Sequence, residues 1–143
     1  MPVFKGISHV DLTVRDADRS AAWYERVLGM TLLGDFPEHA TPGVPARVVQ
    51  VMNPATGLTF GLIQHESGAD GDFSEFRVGL DHLSLAVESR DELEEWVERL
   101  DGCGVPHSAI SDMLYGSVVV FRDPDNIQLE LFAVAPEFRL DLG

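Results

Sequence analysis

An internal repeat constrains this sequence more than any other feature. When the chain is shifted by 73 residues, segment 6–29 aligns without gaps on segment 79–102, with nine identities in 24 positions. The identical residues of the first copy are Gly6, His9, Leu12, Val14, Asp18, Trp23, Glu25, Arg26 and Gly29. Two copies are too few for a solenoid, so the repeat predicts one duplicated module of about 70 residues.

Each copy of the repeat predicts one strand, one helix and three more strands, from its short apolar runs and its single helical segment. The predicted strands are residues 6–14, 31–36, 46–52, 58–65, 79–87, 105–110, 116–122 and 127–133. The first helix is expected between an N-cap at Asp16 and Gly29, and the second over residues 89–101. Trp23 and Trp96 match in the repeat and are interpreted as core residues.

The expected chain is therefore a single α+β domain of 143 residues, long enough to bury a full core. Its predicted parts are module 1 (about 5–66), a linker (about 67–77), module 2 (about 78–134) and a C-terminal tail (135–143).

Composition narrows the classes of function. The net charge of −14 argues against nucleic acid and anionic membrane surfaces, since both require a basic patch. No apolar run reaches the length of a membrane span, and no signal peptide is recognised. Cys103 is the only cysteine, which excludes an intrachain disulfide and favours a cytoplasmic location. Lys5 is the only lysine, which argues against Schiff-base chemistry.

The repeated histidines are expected on one face of their strands. Because side chains alternate along a strand, Leu12 and Val14 should pack on the helix, while His9, Asp11 and Thr13 point away from it. In the second copy His82, Ser84 and Ala86 are the corresponding set. A mixed sheet with helices outside and a polar inner face predicts a cup.

A lone acid in the last strand extends this pattern. Glu130 lies between Leu129 and Leu131 and follows the turn at residues 123–126. Burying an unpaired carboxylate is costly, and metal ligation offsets that cost. Two histidines and one carboxylate are the donors of an open divalent metal site. We therefore expect His9, His82 and Glu130 to be metal ligands.

The chain resembles members of the vicinal oxygen chelate superfamily. The resemblance is carried by the segments GISHVDLTVRDADRSAAWYERVLGM, GLDHLSLAV and FRDPDNIQLELF, and it extends over nearly the whole chain. The superfamily includes glyoxalase I, methylmalonyl-CoA epimerase, fosfomycin-resistance proteins, extradiol dioxygenases and bleomycin-binding proteins. The resemblance implies tandem βαβββ modules that form a cup around a divalent metal, with ligands on the first and last strand of each module.

The fourth ligand position of that pattern is a glycine here. Aligning Asn53 and Pro54 with the Asp-Pro of the second copy, with one extra residue, matches Gly61 to Glu130. His65 lies four residues further along, about 13 Å away, and Gln64 should point to the other face. Three protein ligands with two or three open positions are therefore expected, and this set is similar to those of the fosfomycin-resistance and extradiol dioxygenase branches.

The resemblance implies a Zn, Ni, Mn or Fe ion, a small oxygenated substrate held through neighbouring oxygens, and a homodimer. The leading hypothesis is a glyoxalase-like or epimerase-like enzyme that performs proton transfer, isomerisation or lyase chemistry. A non-catalytic antibiotic-binding or toxin-binding resistance protein and an Fe(II) extradiol-type dioxygenase are the alternatives.

Further residues are assigned to substrate or proton handling. Glu130 and His65 are the candidate catalytic bases, and Asp11 is a further candidate. The candidate substrate contacts are Asp11, Thr13, Arg47, Ser84, Met113, Tyr115 and Phe132, although a surface ion pair is an equal interpretation for Arg47. His39 and His107 are interpreted as loop histidines without a catalytic role.

Overall fold

The order of elements is a βαβββ module written twice. The computed structural model describes residues 1–36 and 43–139. The first module comprises β1 Val10–Thr13, α1 Ala17–Leu28, β2 Thr31–Phe36, β3 Ala46–Met52 and β4 Thr59–His65. The second comprises β5 Leu83–Val87, α2 Arg90–Gly102, β6 Ser111–Met113, β7 Gly116–Arg122 and β8 Gln128–Val134, followed by a 3-10 turn at Pro136–Phe138. The predicted α+β class and tandem βαβββ order are confirmed.

Within the described residues the strands form two four-stranded mixed sheets, ordered β1-β4-β3-β2 and β5-β8-β7-β6. In each sheet the first strand of the module runs parallel to the last, and the remaining pairs are antiparallel. The chain folds as two compact units, Met1–Gly71 and Asp72–Gly143, each containing one sheet and one helix.

Helix α1 begins and ends where its capping residues predict. The side chain of Asp16 accepts a hydrogen bond from the Arg19 N–H, and Gly29 adopts the left-handed conformation with φ 64°. Ser89 caps α2 in the same way. Neither of these helices, the two in the described part of the chain, is long and apolar enough to cross a membrane.

The aromatic core differs from the prediction. Tyr24 is fully buried and makes an edge-on contact with Phe60, with ring centroids 5.4 Å apart. Trp23 and Trp96 are only half-buried, and the guanidinium of Arg99 lies over the Trp96 ring. The repeat matched the tryptophans because they occupy equivalent helix positions. The equivalent positions that are fully buried in both helices hold different residues, Ser20 and Leu93 at one and Val27 and Leu100 at the other.

The largest differences in strand bounds lie at the start of two predicted strands. Strands β1 and β5 begin at Val10 and Leu83, later than predicted, because their partners β4 and β8 begin only at Thr59 and Gln128. The predicted strand over 105–110 is wrong, since this stretch makes only an isolated bridge from His107 to β7. Pro106 precedes that bridge and has no N–H to donate to a ladder. The strand at this edge is β6.

His107 joins the C-terminal end of α2 to the following loop. Its Nδ1 lies 2.7 Å from the Ser108 carbonyl oxygen and its Nε2 lies 3.2 Å from Oδ1 of Asp101. Both partners are acceptors, so both ring nitrogens donate only when the imidazole is protonated. The Ser108 carbonyl, with a smaller contribution from Asp101, raises the pKa of His107 against the opposing effect of burial.

We predict that His107→Gln destabilises the metal-free protein more at pH 6 than at pH 9. Because the folded-state pKa is raised, the stabilisation is fully present below the unfolded pKa of about 6.5. It is lost as the pH rises through the folded-state pKa. Urea unfolding at both pH values should give a difference of about 1 kcal/mol or less. A His107→Gln effect that is the same at both pH values would contradict this account.

Candidate functional site

The two repeated histidines occupy equivalent places, each directly before the first strand of its module. His9 precedes β1 and His82 precedes β5. In both, Nδ1 is bound by the side chain of the preceding residue: the Ser8 hydroxyl oxygen lies 2.8 Å from Nδ1 of His9, and Oδ1 of Asp81 lies 2.6 Å from Nδ1 of His82. An anchored Nδ1 fixes the ring orientation and leaves Nε2 available as a ligand atom.

In the second unit the free nitrogen faces a carboxylate. Nε2 of His82 lies 3.5 Å from Oε1 of Glu130, whose side chain is only 16% exposed. The parallel pairing of β5 with β8 places Ser84 beside Glu130 and so brings this acid close to the start of β5. The hydrogen bond that Nδ1–H of His82 donates to Asp81, and more weakly the charges of Glu130 and Asp81, raise the pKa of His82 against the effect of burial.

The first unit contains a similar pair built from different positions. Nε2 of His9 lies 3.8 Å from Oδ2 of Asp11. Asp11 lies beside Gly61 in the parallel pairing of β1 with β4, as Ser84 lies beside Glu130 in the second unit. This register confirms that Gly61 corresponds to Glu130.

The donor set fits a divalent metal ion. Imidazole nitrogen and carboxylate oxygen bind such ions at about 2.0–2.2 Å, which places two ligand atoms of one ion about 3.0–3.4 Å apart. The separation of 3.5 Å between His82 and Glu130 is close to that value and is long for a hydrogen bond. Within the ranges 1–36 and 43–139, however, no group of three His, Cys, Asp or Glu side chains that could hold a metal is found. The ligand set His9, His82 and Glu130 therefore remains a prediction.

Arg47 is occupied by two carboxylates. Its guanidinium donates to both oxygens of Asp18 and to both oxygens of Asp35, at 2.7–2.9 Å. These bonds lower the pKa of Asp18 and Asp35 and raise that of Arg47. The ion-pair interpretation thus describes Arg47 in the structure, and a substrate carboxylate would have to displace one of these acids.

His65 ends β4 at the rim of a cavity of about 530 Å³ in the first unit. Asp35, Ala46 and Arg47 also line this cavity. As predicted, the Gln64 side chain points to the helix side, where its amide oxygen Oε1 accepts a hydrogen bond from the Ala17 N–H at the start of α1. His39 lies outside the described residues.

The remaining predicted contacts lie on exposed strand positions or beside Glu130. Thr13 and Ser84 are exposed residues of β1 and β5. Phe132 follows Glu130 by two residues, so both share one face of β8. The Phe132 ring stacks on Tyr115, with centroids 6.0 Å apart. Met113 lies at the end of β6 and is partly exposed.

Sequence reasoning did not identify Ser8 and Asp81 as anchors of the histidines. The signal was present, because the repeat aligns these residues with one another and both are polar residues next to the histidine. Residue identity does not reveal it, because a hydroxyl and a carboxylate hold Nδ1 with different chemistry.

Comparison with known proteins identifies the family and similar folds. Residues 6–131 match the family model of the Glyoxalase/Bleomycin resistance protein/Dioxygenase superfamily. A glyoxylase/bleomycin resistance protein/dioxygenase domain from Frankia sp. EAN1pec is 36% identical, with a TM-score of 0.81, covering 93% of this chain and all of that one. The fosfomycin resistance protein FosX from Listeria monocytogenes, complexed with Mn(II) and sulfate, has a TM-score of 0.68 at 21% identity, covering 97% of this chain and all of that one.

A curated relative is larger than this chain. The "Putative ring-cleaving dioxygenase MhqA" of Bacillus subtilis (strain 168) is 29% identical over 133 residues, which are 90% of this chain. The chain spans only 40% of the length of that relative.

We predict that Asp81→Asn lowers the pKa of His82 in the metal-free protein, because the hydrogen bond that His82 donates to the Asp81 carboxylate is the largest cause of its elevation. Glu130→Gln should lower it by less. NMR titration of the imidazole resonances measures both changes, and Ser8→Ala serves as the matched control that leaves the His82 pKa unaltered. A larger effect of Glu130→Gln than of Asp81→Asn would contradict the assignment of Asp81 as the anchor.

Proposed function

The chain belongs to the Glyoxalase/Bleomycin resistance protein/Dioxygenase superfamily, and from this premise we propose that it is a divalent-metal-dependent enzyme acting on a small oxygenated molecule. The observation that carries the proposal is the pair of His82 and Glu130, 3.5 Å apart, with Nδ1 of the histidine held by Asp81. Histidines that bind metals usually donate their other ring N–H to a carboxylate, which fixes the ring and leaves the second nitrogen open for the ion.

The proposed ligands are His9, His82 and Glu130. Each histidine has an anchored Nδ1 and a free Nε2 within its own unit. Among the described residues, the ionic contact of Glu130 is with His82, and no arginine or lysine pairs with it. In a chain of net charge −14, a cation is the natural partner of such an acid. Zn, Ni, Mn and Fe all accept this donor set, and the FosX structure contains Mn(II) within the same fold.

The proposed chemistry is proton transfer, isomerisation or lyase chemistry. A bound divalent ion would supply Lewis-acid stabilisation of a developing oxyanion. The carboxylate of Glu130, once released from the metal, would take the proton from the carbon beside the substrate carbonyl, with His65 as a second candidate base. Ser84 and Thr13 offer hydroxyl groups to substrate oxygens, while Phe132, Tyr115 and Met113 supply an apolar wall.

The relative MhqA, a putative ring-cleaving dioxygenase, favours one alternative, an Fe(II) extradiol-type dioxygenase. Two histidines and one carboxylate also form the ligand set of non-haem iron oxygenases. A second alternative, a non-catalytic binding protein, is favoured by the stacked Tyr115 and Phe132 and by the lack of a carboxylate at Gly61.

We predict that the protein purified without chelator holds a divalent metal, and that His82→Ala and Glu130→Gln each weaken its affinity at least about 10-fold. Plasma mass spectrometry and competition with a chelating dye measure content and affinity. Glu95→Gln, which removes an exposed acid of α2, is the control for the change in net charge. If the wild-type protein takes up no Zn, Ni, Mn or Fe, the enzyme proposal fails and the binding alternative replaces it.

A second measurement separates the chemistries. At metal saturation, we expect the protein to exchange the carbon-bound proton of hydroxy-ketones with deuterated solvent, and Glu130→Gln to slow this exchange by about 10²-fold or more. NMR follows the exchange, and an oxygen electrode monitors the same protein with Fe(II) and catechols. Oxygen consumption without proton exchange would contradict the proposed chemistry and favour the dioxygenase alternative.

A further inference from the structure

In the two units, the acid that lies near the histidine comes from different strands of the parallel pair. In the second unit Glu130 belongs to β8, and its neighbour on β5 is Ser84. In the first unit the corresponding place on β4 is Gly61, and its neighbour on β1 is Asp11. Each parallel strand pair therefore holds one acid at the same level, but the acid comes from the last strand in one unit and from the first strand in the other.

The side chain of Asp11 occupies the space that a residue at position 61 would need. A Cβ atom added to Gly61 would overlap Oδ1 of Asp11 and would lie 3.1 Å from its Cγ. Gly61 is not among the described glycines with a positive φ. A glycine is therefore needed here for space rather than for backbone conformation. The carboxylate of Asp11 lies where the first atoms of a side chain on β4 would otherwise be.

Asp11 shares one feature with Glu130, an ionic contact with a histidine, although its side chain is more exposed, at 37% against 16%. Among the described residues, the ionic contact of Asp11 is with His9, at 3.8 Å from Nε2, and no arginine or lysine pairs with it. By contrast, Asp18 and Asp35 of the same unit share the guanidinium of Arg47. Asp11 is thus an acid without a permanent cation, held beside a histidine whose Nδ1 is already anchored by Ser8.

We propose that Asp11 is a metal ligand of the first unit and replaces the carboxylate that Gly61 lacks. The inference rests on the proposed metal-dependent function and deepens it, since Asp11 changes from a substrate contact to a ligand. A second carboxylate makes the donor set harder and more negative, which favours Mn(II) or Fe(II) over softer ions. It also leaves fewer open positions than the three-ligand set.

Because the overlapping atom is the end of a flexible side chain, a residue at position 61 would displace the Asp11 carboxylate without disrupting the sheet. We therefore expect both Asp11→Asn and Gly61→Ala to weaken Mn(II) affinity about 10-fold or more, with unfolding by urea little changed. Asp11→Ser should do the same. The double variant Asp11→Ser with Gly61→Glu, which reproduces the Ser84 and Glu130 arrangement, should recover most of the affinity.

Mn(II) affinity is measured by electron paramagnetic resonance of the free ion, so the readout does not depend on turnover. The Co(II) absorption spectrum reports the change in ligand set, and Glu95→Gln controls for charge. If Asp11→Asn and Gly61→Ala bind Mn(II) like the wild type while His82→Ala does not, the inference is overturned and the proposed function stands. If the double variant binds no better than Asp11→Ser, the inference that the acid can move from β1 to β4 and still bind the metal is overturned. If the wild type binds no metal, the proposed function itself fails.

Discussion

The parallel pairing of the first and last strand in each unit is the constraint on which both histidine–carboxylate pairs depend. It sets Ser84 beside Glu130 and Asp11 beside Gly61, with the histidine two residues before the first member of each pair. A parallel pair requires a crossover, and the helix with the two intervening strands provides it. The chemistry of each unit is therefore determined by which of two adjacent strand positions holds the acid.

Electrostatics supports the proposal that these acids bind a metal. Several arginines of this acidic chain are paired with other acids, such as Arg47 with Asp18 and Asp35, and Arg122 with Glu75. Among the described residues, the ionic contacts of Glu130 and Asp11 are with histidines. A neutral histidine does not balance a carboxylate, and a protonated one is no longer a ligand. A divalent cation would balance the negative charge of both acids and would accept the lone pairs of the free Nε2 atoms.

Much of the fold could be predicted because the repeat and the alternation of apolar residues are local signals. Strands β2, β3 and β7 and the caps of α1 lie where the sequence places them. The wrong predictions concern features that depend on contacts with another element of the fold. Where β1 and β5 begin depends on where β4 and β8 begin, and the burial of Tyr24 depends on Phe60. The sequence also identified Gly61 as the missing ligand position, but it could not show that the Asp11 side chain lies over it.

Parallel pairing of the first and last strand gives each module a physical freedom in where its acid is placed. In a parallel strand pair, two side chains at one level point to the same face, so either strand can present an acid to nearly the same place. A glycine opposite Asp11 and a serine opposite Glu130 are the small partners that such an exchange requires. Gly61 is then not simply a lost ligand. Its lack of a side chain is what allows Asp11 to lie across β4 and keep a carboxylate near His9.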